Sequence, residues 1–122
     1  MSRVAEGGRG RGPVRPTALV FDVNETLSDM APLAQRFADV GAPEHLSATW
    51  FASLLRDGFA LTAVGVNPHF ADLGSTLLAT LLSGQVEDVE GAVEHVMTGF
   101  GGLSTHPDVV PGIRELAGLG IR

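Results

Sequence analysis

The stretch "TALVFDVNETLSD", residues 17–29, decides the fold. A run of four apolar residues within it ends abruptly at Asp22, and a second acid follows at Asp29. Apolar side chains on both faces are typical of an internal parallel strand. The run therefore predicts a buried strand over residues 17–22 and a loop over residues 23–30. An acid at the carboxyl end of such a strand faces the crevice in which α/β sheets bind ligands.

Composition limits the class of protein. The chain has 122 residues, and 44% of them are apolar, which suffices for one small packed domain. It has no cysteine, which excludes disulfides, cysteine-zinc sites and thiol nucleophiles. No window approaches the roughly 20 apolar residues of a membrane span, and the N-terminus lacks the apolar segment of a secretory signal. We therefore expect a cytoplasmic protein that does not enter a membrane.

Charge is unevenly distributed along the chain. Residues 1–16 are rich in arginine and glycine, carry a net charge of +3, and predict a disordered tail. This tail could be an arm for nucleic acid or simply a solvated segment. Residues 17–122 carry four arginines and thirteen acids, which gives a net charge of −9. This acidic part predicts no nucleic-acid partner.

After the loop, the sequence predicts helices only. Apolar residues recur at helical spacing between prolines that suit helix starts and glycines that suit helix ends. The stretch "GFGGLSTHPDVVPG" predicts a loop, with its first glycines as a hinge. The expected helices begin near Pro32, Pro43, Pro68, Val86 and Pro111.

A single buried strand is incomplete by itself. It needs a neighbouring strand on each edge, and the sequence offers no second convincing strand. We therefore expect that strands of the sheet are missing on the C-terminal side.

The motif "FDVNETLSD" resembles the first motif of the haloacid dehalogenase superfamily. In that family a strand ends at a nucleophilic Asp, with a Thr and often a second acid further on; here these are Asp22, Thr26 and Asp29. The segments "WFASLLRDGFALTAVG" and "HPDVVPGIRELAGLGI" are similar to the cap helices and return segment of the type II 2-haloacid dehalogenases. The resemblance covers residues 17–122.

The resemblance implies an α/β fold that combines the first strand of a Rossmann-like core with a mostly complete α-helical cap. Residues 17–31 would hold the core strand and the nucleophile loop, and residues 32–101 the cap. Residues 102–122 would hold the return segment and one helix of an incomplete core, truncated before the second core strand.

The resemblance also implies a hydrolase chemistry. Asp22 would displace halide from a short 2-haloalkanoate, and water would then cleave the aspartyl ester. Thr26 would fix the direction of the carboxylate. The competing interpretation is that Asp22 only caps a turn.

Position 24 separates two chemistries within the superfamily. Phosphatases carry a second Asp there as general acid–base, whereas Asn24 cannot exchange a proton usefully near neutral pH. Halide needs no proton to leave. We therefore expect a dehalogenase without a metal or cofactor, and the alternative is a phosphatase that requires Mg²⁺.

The pocket predicted by the resemblance departs from the family. Related dehalogenases carry an aromatic residue and a glycine where Asn24 and Glu25 stand, and a carboxylate-binding arginine where Phe51 stands. The expected substrate-binding residues are Val23, Asn24, Trp50, Phe51 and Arg56.

Arg56 has two interpretations. It could reach the site from a neighbouring turn and bind the substrate carboxylate, or it could pair with Asp57 or Asp72 on the surface.

The chain contains no lysine, although the family supports its nucleophile with one. We therefore expect the 122-residue chain to be inactive by itself, and a third interpretation is a non-catalytic helical fragment that binds another protein. Beyond a small-molecule substrate, we expect a homodimer in the full-length form and self-association of this chain.

The four histidines are widely spaced in the sequence. We therefore expect them to be surface or loop residues rather than metal ligands: His45, His69, His95 and His106.

Overall fold

A computed structural model describes residues 12–122, which contain five helices and no strand. The predicted helices are all present. None of them combines the length and the hydropathy that crossing a bilayer requires. Their bounds are Leu33–Asp39 (α1), Leu46–Ala63 (α2), Phe70–Leu82 (α3), Val89–Gly101 (α4) and Val109–Gly118 (α5).

Helices α1 to α4 pack into a bundle in which the backbones of α1, α2, α3 and α4 are neighbours in that order and α4 lies against α1. The bundle encloses the buried core, to which all four helices contribute. Its fully buried large side chains are Leu33, Phe37, Trp50, Leu54, Leu78, Leu82 and Val96. Burial of one such side chain stabilises the fold by about 1.5–3 kcal/mol.

Trp50 lies at the centre of this core. Its side chain has no exposed surface, and its Nε1–H donates a hydrogen bond of 3.0 Å to the carbonyl oxygen of Gly74 in α3. The ring of Phe100 meets it edge-on at a centroid distance of 5.4 Å, and the ring of Phe37 lies 6.5 Å away. The indole therefore contacts every other helix of the bundle.

The start of "GFGGLSTHPDVVPG" is helical, so the prediction of a loop and hinge there is wrong for Gly99, Phe100 and Gly101. Helix α4 continues through these residues because Phe100 packs on Trp50, and its ring also lies 6.3 Å from that of Phe70. Each glycine in a helix costs about 1 kcal/mol relative to alanine, and burial of an aromatic ring offsets that cost.

Packing also explains why residue 99 is a glycine. The side chain of Arg36 crosses α4 at this residue, and its Nη1 donates to the carbonyl oxygen of His95 at 3.4 Å. A Cβ on residue 99 would lie 2.7 Å from Cγ of Arg36. The absence of a side chain on Gly99 therefore lets α1 and α4 approach each other.

The prediction of a buried strand over residues 17–22 is wrong for this structure. Val20 is 98% exposed, and Phe21 is 41% exposed. The described chain supplies no strand on either side; the segment is paired only where Leu19 N–H donates to Arg122 O at 2.6 Å and Arg122 N–H donates to Thr17 O at 3.0 Å. These two bonds follow the pattern of a parallel pair, but two bonds do not build a ladder.

Helix α5 stands apart from the bundle and contacts none of α1 to α4 within the described chain. It begins two residues before the predicted start at Pro111. Its apolar face borders an open groove of about 220 Å³ whose other wall includes Phe21 and Leu27. Helix α5 therefore belongs with the segment around Asp22.

The predicted disordered tail, residues 1–16, lies mostly outside the described residues. Within its described part, the guanidinium of Arg15 donates to the carbonyl oxygen of Leu119, just after α5.

Hydrogen bonds to Asp39 join the partly exposed sides of α1 and α4. The imidazole Nε2 of His95 lies 2.8 Å from Oδ2 of Asp39, and Nε2 of Gln35 donates to Oδ1 of Asp39 at 2.9 Å. The hydrogen bond from Gln35, and then that from His95, hold the pKa of Asp39 below its ordinary value of 3.8. The charged carboxylate is therefore favoured in the folded state.

Exchange of Gly99 for alanine tests the crossing of α1 and α4. Because Arg36 would have to move, we expect Gly99→Ala to lower the free energy of unfolding by about 1 kcal/mol. In an Arg36→Ala background the same exchange should raise it by up to about 1 kcal/mol, since alanine is the better helix former. Urea unfolding of the four proteins measures the coupling. Additive effects would show that Arg36 does not occupy this space.

The Asp39 pair predicts a dependence of stability on acidic pH. Because the folded-state pKa is lowered, the contribution of Asp39 is present above about pH 3.8 and is lost as the pH falls through the folded-state pKa. Asp39→Asn should therefore flatten the acidic limb of a plot of urea midpoint against pH. Glu44→Gln, which removes an exposed carboxylate from the turn before α2, is the matched control. Equal acidic limbs in wild type and Asp39→Asn would contradict the assignment.

Candidate active site at the Asp22 loop

Asp22 and Thr26 lie together at the start of a tight loop, residues 22–30, called here the Asp22 loop. The Thr26 hydroxyl Oγ1 donates a hydrogen bond of 2.9 Å to Oδ2 of Asp22. The spacing of four residues allows this contact because the chain turns back on itself between them. The contact fixes one oxygen of the exposed carboxylate, so the loop sets the orientation of this group.

The turn is closed on the carbonyl oxygen of Val23. That oxygen accepts the N–H groups of Leu27 and Ser28 at 2.9 and 3.0 Å, and the Ser28 hydroxyl at 3.3 Å. Asn24 forms an isolated bridge with Ser28 across the same turn. Val23 and Asn24, two of the predicted substrate-binding residues, are thus directly beside Asp22, and the side chain of Val23 is 56% exposed.

Glu25 takes an unusual backbone conformation. Its φ is +63°, and it is the one non-glycine residue in the left-handed region among residues 12–122. A side chain is disfavoured there, which accounts for the glycine that the resembling family carries at this point. The carboxylate of Glu25 accepts the N–H of Met30 at 2.9 Å, so this side chain also ties the two ends of the loop together.

The return segment, residues 102–108, runs alongside the Asp22 loop. Asp29 N–H donates to Ser104 O at 2.8 Å, and His106 N–H donates to Leu27 O at 2.9 Å. The imidazole Nε2 of His106 lies 2.9 Å from the carbonyl oxygen of Glu25. The loop that carries Asp22 is therefore fixed by the segment that follows the last helix of the bundle.

The other predicted substrate-binding residues, Trp50, Phe51 and Arg56, lie on α2 rather than on the loop. The indole of Trp50 has no exposed surface, and its role in substrate binding stays a prediction. Phe51 is half-buried beside it, with ring centroids 6.5 Å apart. No hydrogen bond or ion pair among residues 12–122 joins Arg56 to the Asp22 loop.

Arg56 has the surface partner that sequence analysis left open. Its Nε lies 2.8 Å from Oδ1 of Asp57, and 72% of its side chain is exposed. The hydrogen bond from Arg56 to Asp57, and then the charge of Asp57, raise the pKa of Arg56. A role in carboxylate binding would require Arg56 to exchange this partner for substrate.

An apolar cavity lies between α2 and α3. Its volume is about 210 Å³, and its walls include Leu55, Phe59 and Phe70. The sequence predicts that Phe59 walls a pocket or joins the core, and its 71% exposure places it at the cavity mouth rather than in the core.

The described part of the chain gathers few potential metal ligands in one place. The structure gathers no group of three or more His, Asp or Glu side chains suited to a metal ion within residues 12–122. Position 24, two residues after Asp22, carries the amide of Asn24 rather than a second carboxylate.

The contact of His106 with Glu25 goes beyond the surface or loop position predicted for this histidine. The partner Glu25 is 81 positions away in the chain. No spacing rule links residues so far apart, and only the fold of the bundle brings them together.

The sequence matches no protein-family model and no curated protein. Among the solved structures that are similar to it, two have a TM-score of 0.78. One is a dehalogenase with an intermediate complex, at 28% identity, and the other is a dehalogenase at 29% identity. Each match covers 87% of this chain and 48% of the other, so the chain spans about half the length of the dehalogenases it matches.

These matches show a dehalogenase-like fold over most of the chain. They also support the helical cap domain that the sequence predicted, to which the bundle of α1 to α4 corresponds.

Proposed function

We propose that this chain carries the nucleophile of a type II 2-haloacid dehalogenase-like hydrolase. The observation that carries the proposal is the exposed carboxylate of Asp22, held by the Thr26 hydroxyl at 2.9 Å on a dehalogenase-like fold. A carboxylate that merely capped a turn would accept backbone N–H groups. The loop closes instead on the carbonyl oxygen of Val23.

The reaction takes place in two steps. Because Oδ2 of Asp22 accepts the Thr26 hydroxyl, Oδ1 is the oxygen proposed to attack C2 of a short 2-haloalkanoate. The new O–C bond forms as the carbon–halogen bond breaks, and halide leaves with the bonding electrons. Water then adds to the ester carbonyl, the 2-hydroxyalkanoate departs, the carboxylate is restored and one proton passes to solvent.

Asn24, two residues after Asp22, suits a halide leaving group better than the alcohol that leaves from a phosphate ester. Halide leaves without a proton, and Asn24 offers no acid to protonate an alcohol. The first step needs only a directed carboxylate and an alkyl halide in an apolar setting. Val23, beside Asp22 in the loop and 56% exposed, is proposed to contribute to that setting.

Trapping of the ester tests the proposal on the chain as it exists. We expect 2-bromopropanoate to add one carboxyethyl group to Asp22, because the alkylation step does not depend on a base for water. Intact-mass and peptide mass spectrometry, with bromide release, measure the adduct in the presence of Mg²⁺ or of a chelator. Asp22→Asn should form no adduct, whereas Asp57→Asn, a surface control, should react like wild type. Alkylation at another carboxylate, or strict dependence on Mg²⁺, would refute the assignment.

A second candidate function, binding to another protein, is favoured by the exposed apolar segment beside the loop. Leu19, Val20, Phe21 and Val23 are 38%, 98%, 41% and 56% exposed. We propose a second copy of this chain as the partner, since the backbone of this segment is paired only through the bonds of Thr17 and Leu19 to Arg122. An extended apolar segment with unpaired backbone groups is a template for pairing with another chain.

Self-association should therefore depend on Val20. Val20→Lys places a charge on the segment, and lysine is a residue that natural proteins use to block such pairing. We expect sedimentation velocity to show oligomers that grow with wild-type concentration and that are reduced in Val20→Lys. Val14→Lys, at another exposed valine that is 84% accessible, is the control. A wild-type monomer at all concentrations would rule the proposal out.

A further inference from the structure

We propose that His106 is a positioning residue for Asp22. Its imidazole holds the backbone of Glu25 in the left-handed conformation that presents Thr26 to the Asp22 carboxylate. The expected effect on reaction rate rests on the proposed function. The effect on loop conformation does not, and it is measured separately.

The direct contact has a defined polarity. Nε2 of His106 lies 2.9 Å from the carbonyl oxygen of Glu25. A carbonyl oxygen can only accept a hydrogen bond, so Nε2 is the donor and carries the proton. Both the neutral ring with its proton on Nε2 and the imidazolium can supply this bond.

His106 holds the loop on both sides of Thr26. Its backbone N–H donates to Leu27 O at 2.9 Å, while its side chain donates to Glu25 O. The backbone carbonyl groups of Glu25 and Leu27, the residues on either side of Thr26, are thus both hydrogen-bonded to His106. The Thr26 hydroxyl is held between them at 2.9 Å from Oδ2 of Asp22.

The conformation of Glu25 explains why such a clamp is needed. With φ at +63°, Glu25 occupies a region that glycine enters freely and that a residue with a Cβ enters at a steric cost. The loop must be held there by its surroundings. The carboxylate of Glu25 supplies one tie, to Met30 N–H, and His106 supplies the other.

The clamp is itself anchored. His106 is half-buried, and its carbonyl oxygen accepts the N–H of Val109 at 3.1 Å, in the first turn of α5. The neighbouring bond between Asp29 N–H and Ser104 O, at 2.8 Å, keeps the return segment in register with the loop. The imidazole is therefore presented to Glu25 from a fixed backbone.

A double-mutant cycle between His106 and Glu25 tests the inference. His106→Leu removes the donor, and we expect it to slow alkylation of Asp22 by 2-bromopropanoate about 10- to 100-fold, with little change in half-saturating concentration. His106→Gln should restore much of the rate, since its amide can donate. In a Glu25→Gly background the effect of His106→Leu should fall to within a factor of about 3, because glycine needs no clamp.

Amide chemical shifts in ¹H–¹⁵N spectra give the readout that does not need the reaction. His106→Leu should move the Thr26 and Leu27 resonances, and His106→Gln should return them towards wild type. His45→Leu is the control, since the side chain of His45 makes no capping hydrogen bond. If wild type is not alkylated while these shifts occur, the proposed function fails and the positioning role stands. Unchanged shifts in His106→Leu, or an equal loss of rate in the wild-type and Glu25→Gly backgrounds, would overturn the inference.

Discussion

The contact between Trp50 and Gly74 is the constraint on which the helical bundle depends. The indole N–H reaches the carbonyl oxygen of Gly74 at 3.0 Å, and a Cβ on Gly74 would stand 3.4 Å from Cζ2 of Trp50. This hydrogen bond joins the buried side chain of α2 to the backbone of α3 and satisfies the indole donor inside the core. Phe37 and Phe100 then pack on the same indole, so the positions of α1 and α4 follow from this one contact.

The helices were predictable because their signals are local. Apolar residues at helical spacing, with prolines and glycines at the ends, placed all five. Helix α4 shows where such signals end. Asp88 accepts the N–H of Gly91 at 2.9 Å and starts the helix there, which an N-terminal aspartate can indicate. Its last turn contains glycines that predict a loop, and only the distant Trp50 makes that turn helical.

The site was predictable to the same extent. Asp22 and Thr26 are four residues apart, and their contact forms within one turn. The apolar run before Asp22 predicted burial, yet burial of a strand depends on neighbouring strands that residues 12–122 do not supply. The contact of His106 with Glu25 joins opposite ends of the chain, and Arg56 pairs with one of two candidate partners through surface geometry that no motif encodes.

The bond between Asp29 N–H and Ser104 O has a consequence for how the molecule can change. The chain leaves for the bundle and returns from it at points held 2.8 Å apart. Residues 33–101 are therefore a topological insertion whose two ends lie close together. Segments of this kind can be lengthened, shortened or exchanged with little effect on the host, because the ends stay together. The bundle could thus change in length and sequence while the Asp22 carboxylate kept its contact with Thr26.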